Sequence, residues 1–130
     1  MKPYLLVLLG ILLAGCKQNP LSSIGKARAA AELHHKFLMV EFGADWCSDC
    51  RELARTLEQN RRDQIRQYVD VVKVDVGEFN RNLDVARSLH VDVNQGIPTA
   101  VFFPPAGSQP RIEVGNKQIL SYLDEISESR

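Results

Sequence analysis

A continuous apolar run, Phe37 to Phe42, leads within five residues to two cysteines set three apart, Cys47 and Cys50, and a helix-like stretch follows from Arg51. This junction constrains the fold more than any other feature of the chain. A run that stays apolar at successive positions, broken only by Glu41, suits a central strand buried on both faces. Two cysteines three apart at a helix start can close a disulfide, because neighbouring turns bring their Cα atoms within ~4.4–6.8 Å. The same position lowers the pKa of the first thiol, since a helix N-terminus presents unpaired N–H groups and the positive end of the dipole. A thiolate that attacks and a second thiol that resolves the mixed disulfide are the machinery of thiol–disulfide exchange. A purely structural disulfide and half of a zinc site are the other uses of such a pair. Zinc would need two further N or S ligands. The chain has no second cysteine pair, and His34, His35 and His90 show no ligand spacing to the first, so no metal is expected.

The third cysteine belongs to a different segment. Residues 1–16 combine Lys2, the apolar run Leu5 to Leu13, and Leu13-Ala14-Gly15-Cys16. A basic residue, a short apolar core and small residues before a cut are the parts of a secretory signal. At ~1.5 Å per residue the run is about 14 Å long as a helix, less than half of the ~30 Å hydrocarbon core. Leu13-Ala14-Gly15-Cys16 resembles a bacterial lipobox, which implies cleavage before Cys16 and lipid on its sulfur. The alternatives are an ordinary signal peptide with an incidental cysteine, or a signal anchor. The expected organisation is a signal over 1–15, lipidated Cys16 with a tether to residue 22, and one domain over 23–130. Lys17 after the lipidated cysteine, rather than Asp, favours the outer membrane in a Gram-negative source.

Composition excludes some partners. Lys plus Arg is 16 and Asp plus Glu is 16; loss of Lys2 with the signal leaves one net negative side-chain charge. That balance gives no electrostatic reason to expect nucleic acid or a polybasic membrane patch. With Cys16 acylated, only Cys47 and Cys50 remain as thiols, which is too few for a disulfide framework and suits a redox pair in an exported protein.

Past the tether, Ser22 or Ser23 can cap a helix through about His35, with Ala27, Ala30, Ala31 and Leu33 on its apolar face. Cys50, Leu53, Ala54 and Leu57 share one face of the next helix, which breaks near Asn60 and resumes to about Tyr68. Val69 to Val76 is a second candidate for a buried strand. Asn80 or Asn82 can cap a helix through about His90, with Leu83, Ala86 and Leu89 inward. A loop, Val91 to Gly96, then leads to Ile97-Pro98 and the strand Thr99 to Phe103. Pro104 to Gly107 makes a turn before a short strand, Arg111 to Val114. The last helix starts at Gly115-Asn116 and carries Ile119, Leu120, Leu123 and Ile126. The order α-β-α-β-α-β-β-α implies early parallel crossovers, then a hairpin and a covering helix. Arg51, Arg55, Arg61, Arg62 and Arg66 alternate with Glu52, Glu58 and Asp63 and read as solvated helix faces. The three histidines read as surface residues.

That order, with Val40-Glu41-Phe42, Ala44-Asp45-Trp46-Cys47, Cys50 and Gly96-Ile97-Pro98-Thr99, resembles thioredoxin over about residues 23–130. The resemblance implies an α/β thioredoxin fold, a central mixed β-sheet flanked by helices with an extra N-terminal helix. Tethered thioredoxin-like proteins of bacterial envelopes are the subclass it points to. Two departures stand out: Ser48-Asp49 replaces thioredoxin's Gly-Pro between the cysteines, and Val91 to Gln95 is slightly long. The family pattern makes Cys47 the nucleophile and Cys50 the resolving thiol. It makes Glu41 the buried acid that shuttles the proton of Cys50, against an edge-exposed glutamate. Lys73, in Val72-Lys73-Val74, is either its partner across adjacent strands or a lysine that snorkels to the sheet end. Pro98 alone would be trans; the resemblance implies a cis Ile97–Pro98 bond, with the Ile97 backbone facing an extended substrate beside Cys47. It gives Trp46 the role of a flap over the pair, against plain packing.

Ser48 and Asp49 are the residues expected to tune direction. The Asp49 charge beside a forming thiolate raises the thiol pKa against the helix dipole, an effect that Arg51 opposes if its side chain turns back rather than lying solvated, so the pair should lean reducing. The expected function is a thiol–disulfide oxidoreductase that reduces disulfides in cell-envelope proteins, with no cofactor beyond the Cys47–Cys50 disulfide. Electrons would come from a membrane thiol donor, and the protein would act as a monomer, lipid-anchored and facing the periplasm. The rivals are an oxidase or isomerase of the same fold, and a binding module whose cysteines only brace the site.

Overall fold

Alternation along the first strand decides which helices cover which face of the sheet. The structure, a computed structural model, describes residues 19–130, so the expected signal, Cys16 and Lys17 lie outside the described residues. Strand β1 (Phe37–Gly43) pairs in parallel with β2 (Val69–Asp75) and antiparallel with β3 (Thr99–Phe103). β3 pairs antiparallel with β4 (Arg111–Val114), giving the sheet order β2-β1-β3-β4. Successive side chains of a strand point to opposite faces. Leu38, Val40 and Phe42 therefore share one face, where they pack with Ile24 and Ala31 of α1 (Pro20–Leu33) and with Val85 and Ala86 of α4 (Leu83–Ser88). Met39 turns the other way. With Ala100 and Phe102 it meets Leu53 and Leu57 of α2 (Ser48–Gln59), Ile65 of α3 (Arg62–Tyr68), and Ile119, Leu123 and Ile126 of α5 (Asn116–Glu128). Both faces are covered, which is why β1 is a continuous apolar run. Glu41 has the parity of Met39, so its carboxyl lies on the face that α2 covers.

The mixed sheet with helices on both faces is the thioredoxin fold, as the resemblance implies. Several details differ from expectation. Helix α1 begins at Pro20, capped by the Asn19 side chain, which accepts the Leu21 N–H at 3.0 Å; residues 20–22 are helical rather than tether. Asn-Pro supplies a capping acceptor followed by a residue whose missing N–H costs nothing at N1. The buried stripe of α1 is Ile24 and Ala31, seven apart, and Leu33 is 77% exposed because it sits two residues round from Ala31. β2 is an edge strand in which only Val69 and Val74 are buried, since nothing pairs with its outer side among the described residues. Neither Asn80 nor Asn82 caps α4 with its side chain. Asn80 Oδ1 accepts the Glu78 N–H and Asn82 Nδ2 donates to the Asp75 carbonyl, so both build the preceding turn. The extra length before Gly96 is taken up by one 3₁₀ turn, Val93–Gln95. Arg61 is not a solvated arginine: its guanidinium pairs with Asp124 and joins the start of α3 to α5.

Leu53 shows how the site depends on this packing. It is fully buried one turn after Cys50, between α2 and the sheet. Leu53→Ala should cost about 2–5 kcal/mol of stability, the range for leucine-to-alanine cavities in well-packed cores. Denaturant unfolding checks this, and a loss under about 1 kcal/mol would contradict the packing described here.

Candidate functional site

The strand–turn–helix junction places the cysteines where the core meets the surface. β1 ends at Gly43, Cys47 is the N-cap of α2, and Cys50 is in the first turn. The two form a disulfide with Cα atoms 5.2 Å apart. Cys47 Sγ accepts the Cys50 N–H at 3.2 Å, the position at which a thiolate would gain a hydrogen bond and the helix dipole together. Both cysteines are only 6% exposed. Cys47 Sγ also lies 3.7 Å from the carbonyl oxygen of Ile97, so β1–α2 and the loop before β3 converge on one sulfur. The Ile97–Pro98 peptide bond is cis. The Pro98 carbonyl accepts the Gly115 N–H at 2.8 Å, and the Thr99 hydroxyl donates to the Gly96 carbonyl at 2.7 Å, which fixes the loop at both ends.

Glu41 lies near Cys50, beside Gly43. It is 4% exposed, and its Oε2 has no hydrogen-bond partner among the described residues. A cleft of about 210 Å³, lined in part by Glu41, Gly43, Cys50, Arg51 and Lys73, opens beside it. Gly43 sets the spacing: a Cβ there would stand 3.1 Å from Glu41 Oε1 and 3.1 Å from Cys50 Sγ. The carboxyl and the sulfur are therefore separated by no more than twice that distance, about the span one bridging water covers. Burial pushes the Glu41 pKa above the usual carboxylate range, and the positive charge of Lys73 offsets part of the rise. Lys73 stands opposite Glu41 in the β1–β2 register, but it is exposed and the two make no ion pair within 4 Å among the described residues. Its influence is a field across the strand rather than a contact.

The remaining residues form the rim. Trp46 is 52% exposed and its Nε1 donates to the Gly77 carbonyl at 2.8 Å. Its ring meets that of Phe79 edge-on, with centroids 5.7 Å apart. Ser48 and Asp49 are exposed in the first turn of α2. The Asp49 carbonyl accepts from Asn116 Nδ2 at 3.0 Å, which ties that turn to the start of α5. Arg51, expected to be solvated, turns back and donates to the Asp45 carbonyl at 2.6 Å. His34, His35 and His90 are exposed, and among the described residues no three His, Cys, Asp or Glu groups come together as a metal site. Two residues of the site carry no mark in the sequence reading. Gly43 had a signal available, since a glycine ending a buried strand marks close approach of neighbouring groups. Phe79 had a weaker one, an aromatic inside the turn-forming run Gly77-Glu78-Phe79-Asn80.

Chemically, the arrangement offers a sulfur at a helix N-terminus, a second sulfur in the first turn, and a buried carboxyl of raised pKa near the second. Comparison with known proteins agrees. A family model described as thioredoxin-like matches residues 19–105. A protein disulfide-isomerase of Schizosaccharomyces pombe is 31% identical over 69% of this chain and 24% of its own length. The thiol:disulfide interchange protein DsbD of Salmonella typhi is 34% identical over 67% of this chain and 15% of its own length. The chain thus spans a quarter or less of these two curated relatives. Among solved structures, a disulphide isomerase from Xylella fastidiosa Temecula1 superposes with a TM-score of 0.70 and 28% identity, covering 85% of this chain and 93% of that one. By its matching family model, its fold and its paired cysteines, this chain belongs to the thioredoxin-like family.

Proposed function

We propose that the protein is a thiol–disulfide oxidoreductase that works in the reducing direction on disulfides of other cell-envelope polypeptides. The observation that carries this reading is the Cys47 sulfur itself, capping α2 beside the Ile97 carbonyl, with Cys50 behind it. In the reduced protein the Cys47 thiolate attacks one sulfur of the substrate disulfide. A mixed disulfide forms, and the other substrate sulfur leaves as a thiolate that takes up a proton. Cys50, relieved of its proton by Glu41, then attacks Cys47 Sγ. The Cys47–Cys50 bond closes, the second substrate thiol departs, and two electrons have passed from the pair to the substrate. A thiol donor in the membrane would restore the dithiol. Trp46 and the Ile97–Pro98 loop border the sulfur where the substrate chain would lie.

The direction rests on Asp49. Its charge lies in the first turn of the helix that Cys47 caps, and like charge disfavours the thiolate, an effect that Arg51, turned back to the Asp45 carbonyl, only partly offsets. A less stable thiolate makes the dithiol a better reductant. The potential should therefore fall nearer the thioredoxin end of the range, about −270 mV, than the oxidising end at about −120 mV. Asp49→Asn should shift it towards oxidising by about 30 mV, the equivalent of ~1.4 kcal/mol. Redox equilibration against glutathione measures both. A wild-type value near −120 mV would overturn the reductase direction and leave the nucleophile in place. The names of two relatives favour a second reading, an isomerase, for which a value near −180 mV would speak.

The location is part of the same proposal: a lipid on Cys16, in the periplasmic leaflet of the outer membrane in a Gram-negative source. More than one acyl chain at ~0.8 kcal/mol per buried CH₂ makes such anchoring stable. Cys16→Ser should release the protein from the membrane fraction. Normally processed Cys16→Ser protein still in the lipid phase would contradict the anchor.

A further inference from the structure

The turn between β2 and α4 holds a large apolar side chain out into solvent against Trp46, the residue before Cys47. Phe79 is 38% exposed, and its φ of 59° lies in the left-handed region that bulky residues avoid. The turn is closely bonded around it. The Asp75 carboxylate accepts the Gly77 N–H at 2.9 Å and pairs with Arg81 at 2.8 Å. The Val76 carbonyl accepts the N–H groups of Asn80 and Arg81, and Val76 donates its own N–H to the Gly43 carbonyl at the end of β1. Gly77 is required here: its φ is 55°, and a Cβ would stand 2.6 Å from Asn80 Oδ1. The turn is thus fixed to the active-site strand and, through Gly77, to the Trp46 indole. A polar residue would sit at position 79 without exposing a ring, yet the chain places an aromatic there, edge-on to Trp46.

We propose that Trp46 and Phe79 form a two-ring shelf that receives a large apolar side chain of the substrate polypeptide, and that Phe79 is a specificity-determining residue. The inference rests on the oxidoreductase reading, because a substrate sulfur joined to Cys47 fixes where the substrate chain must lie. An extended chain advances ~3.3 Å per residue, and its side chains at i and i+2 share a face. The side chain two residues from the attacked cysteine therefore falls ~7 Å away on the side that faces the protein. The shelf begins at the residue next to the attacking cysteine: Trp46 precedes Cys47 in the chain, and the Phe79 ring centre is 5.7 Å from that of the indole. The shelf selects for apolar chemistry. The one polar atom of its two rings, Trp46 Nε1, is already bonded to the Gly77 carbonyl. Exposed Asp45 and Glu78 border it and repel an acidic side chain. Aromatic residues held rigidly beside a binding centre are the ones that concentrate recognition energy.

The test uses disulfide-linked homodimers of a short single-cysteine peptide, in which both sulfurs are equivalent. Three versions carry leucine, serine or aspartate two residues from the cysteine, and kcat/KM for reduction is measured with each. The leucine peptide should be favoured over the serine peptide about tenfold, and the aspartate peptide should be slowest. Phe79→Asn removes the ring while suiting the left-handed backbone, and should cut the leucine-to-serine ratio to about twofold or less. Phe79→Tyr should keep it. Equal kcat/KM for the leucine and serine peptides with the wild-type protein, or an unchanged ratio in Phe79→Asn, would overturn the inference alone. Failure of the wild-type protein to reduce any of the peptides would sink the oxidoreductase reading, and the shelf with it. A concentration-dependent dimer that Phe79→Asn dissolves, without a peptide preference, would assign this face to self-association instead and overturn the inference.

Discussion

Cys47→Ser should reduce the rate of disulfide reduction to that of a solution without protein, whereas Cys50→Ser should complete one half-reaction and stop. The difference follows from geometry. Cys47 Sγ caps α2 and stands beside the Ile97 carbonyl, at the loop where the substrate is proposed to lie. Cys50 lies on the inward face of α2 with Leu53 and Leu57. A serine at 47 offers no sulfur for the mixed disulfide, so no other group can take its place in the exchange. A serine at 50 leaves the attack intact but removes the resolving thiol. Stopped-flow release of the first substrate thiol should then show one equivalent per protein and no turnover. Turnover that survives Cys47→Ser would reject the assignment of the nucleophile.

The second large effect is expected at Glu41. Its pKa is raised by burial, so the folded protein holds a proton that the unfolded chain releases in the ordinary carboxylate range. Ionising it in place costs stability. This group's contribution is therefore most favourable below the unfolded pKa, declines as pH rises through the folded pKa, and is level above it. Glu41→Gln removes that slope and should leave the protein at least as stable at neutral pH. The same substitution removes the group proposed to accept the proton of Cys50. Resolution of the mixed disulfide near neutral pH should slow by about a hundredfold, the lower end of general acid–base contributions. The slowing should shrink as pH rises, because hydroxide in solvent then takes the thiol proton without the carboxylate. Equal resolving rates for the two proteins from about pH 6 to about pH 9 would rule out proton transfer by Glu41, whatever the stability data show.

Much of this site was legible before any coordinates. The apolar run before Cys47 suits a strand buried on both faces, and a strand entering a cysteine pair at a helix start leaves few folds to choose from. Glu41 announced itself because a carboxyl in such a run is costly unless it serves a purpose. The parts that were not legible depend on tertiary placement. Val69 to Val76 is rich in valine and reads as a buried strand, yet it lies at the sheet edge, where Asp70, Lys73 and Asp75 can reach water. Leu33 has the right residue type but the wrong angular position on α1. The back-turn of Arg51 to the Asp45 carbonyl, and the pairing of Arg61 with Asp124, join segments that local charge patterning cannot connect. Phe79 escaped for the same reason: its meaning comes from the indole of Trp46, thirty-three positions away in sequence and in ring contact in the fold.

The most direct measurement is to locate the mixed disulfide itself. Reduced Cys50→Ser protein is mixed with an excess of a disulfide peptide at neutral pH, quenched with acid, digested without reductant and read by mass spectrometry. The account predicts about one peptide per protein, joined through Cys47. Prior alkylation of Cys47 should prevent the adduct. Reduced protein that forms no adduct, or that carries the peptide at a residue other than Cys47, would contradict the claim that this sulfur is the attacking group.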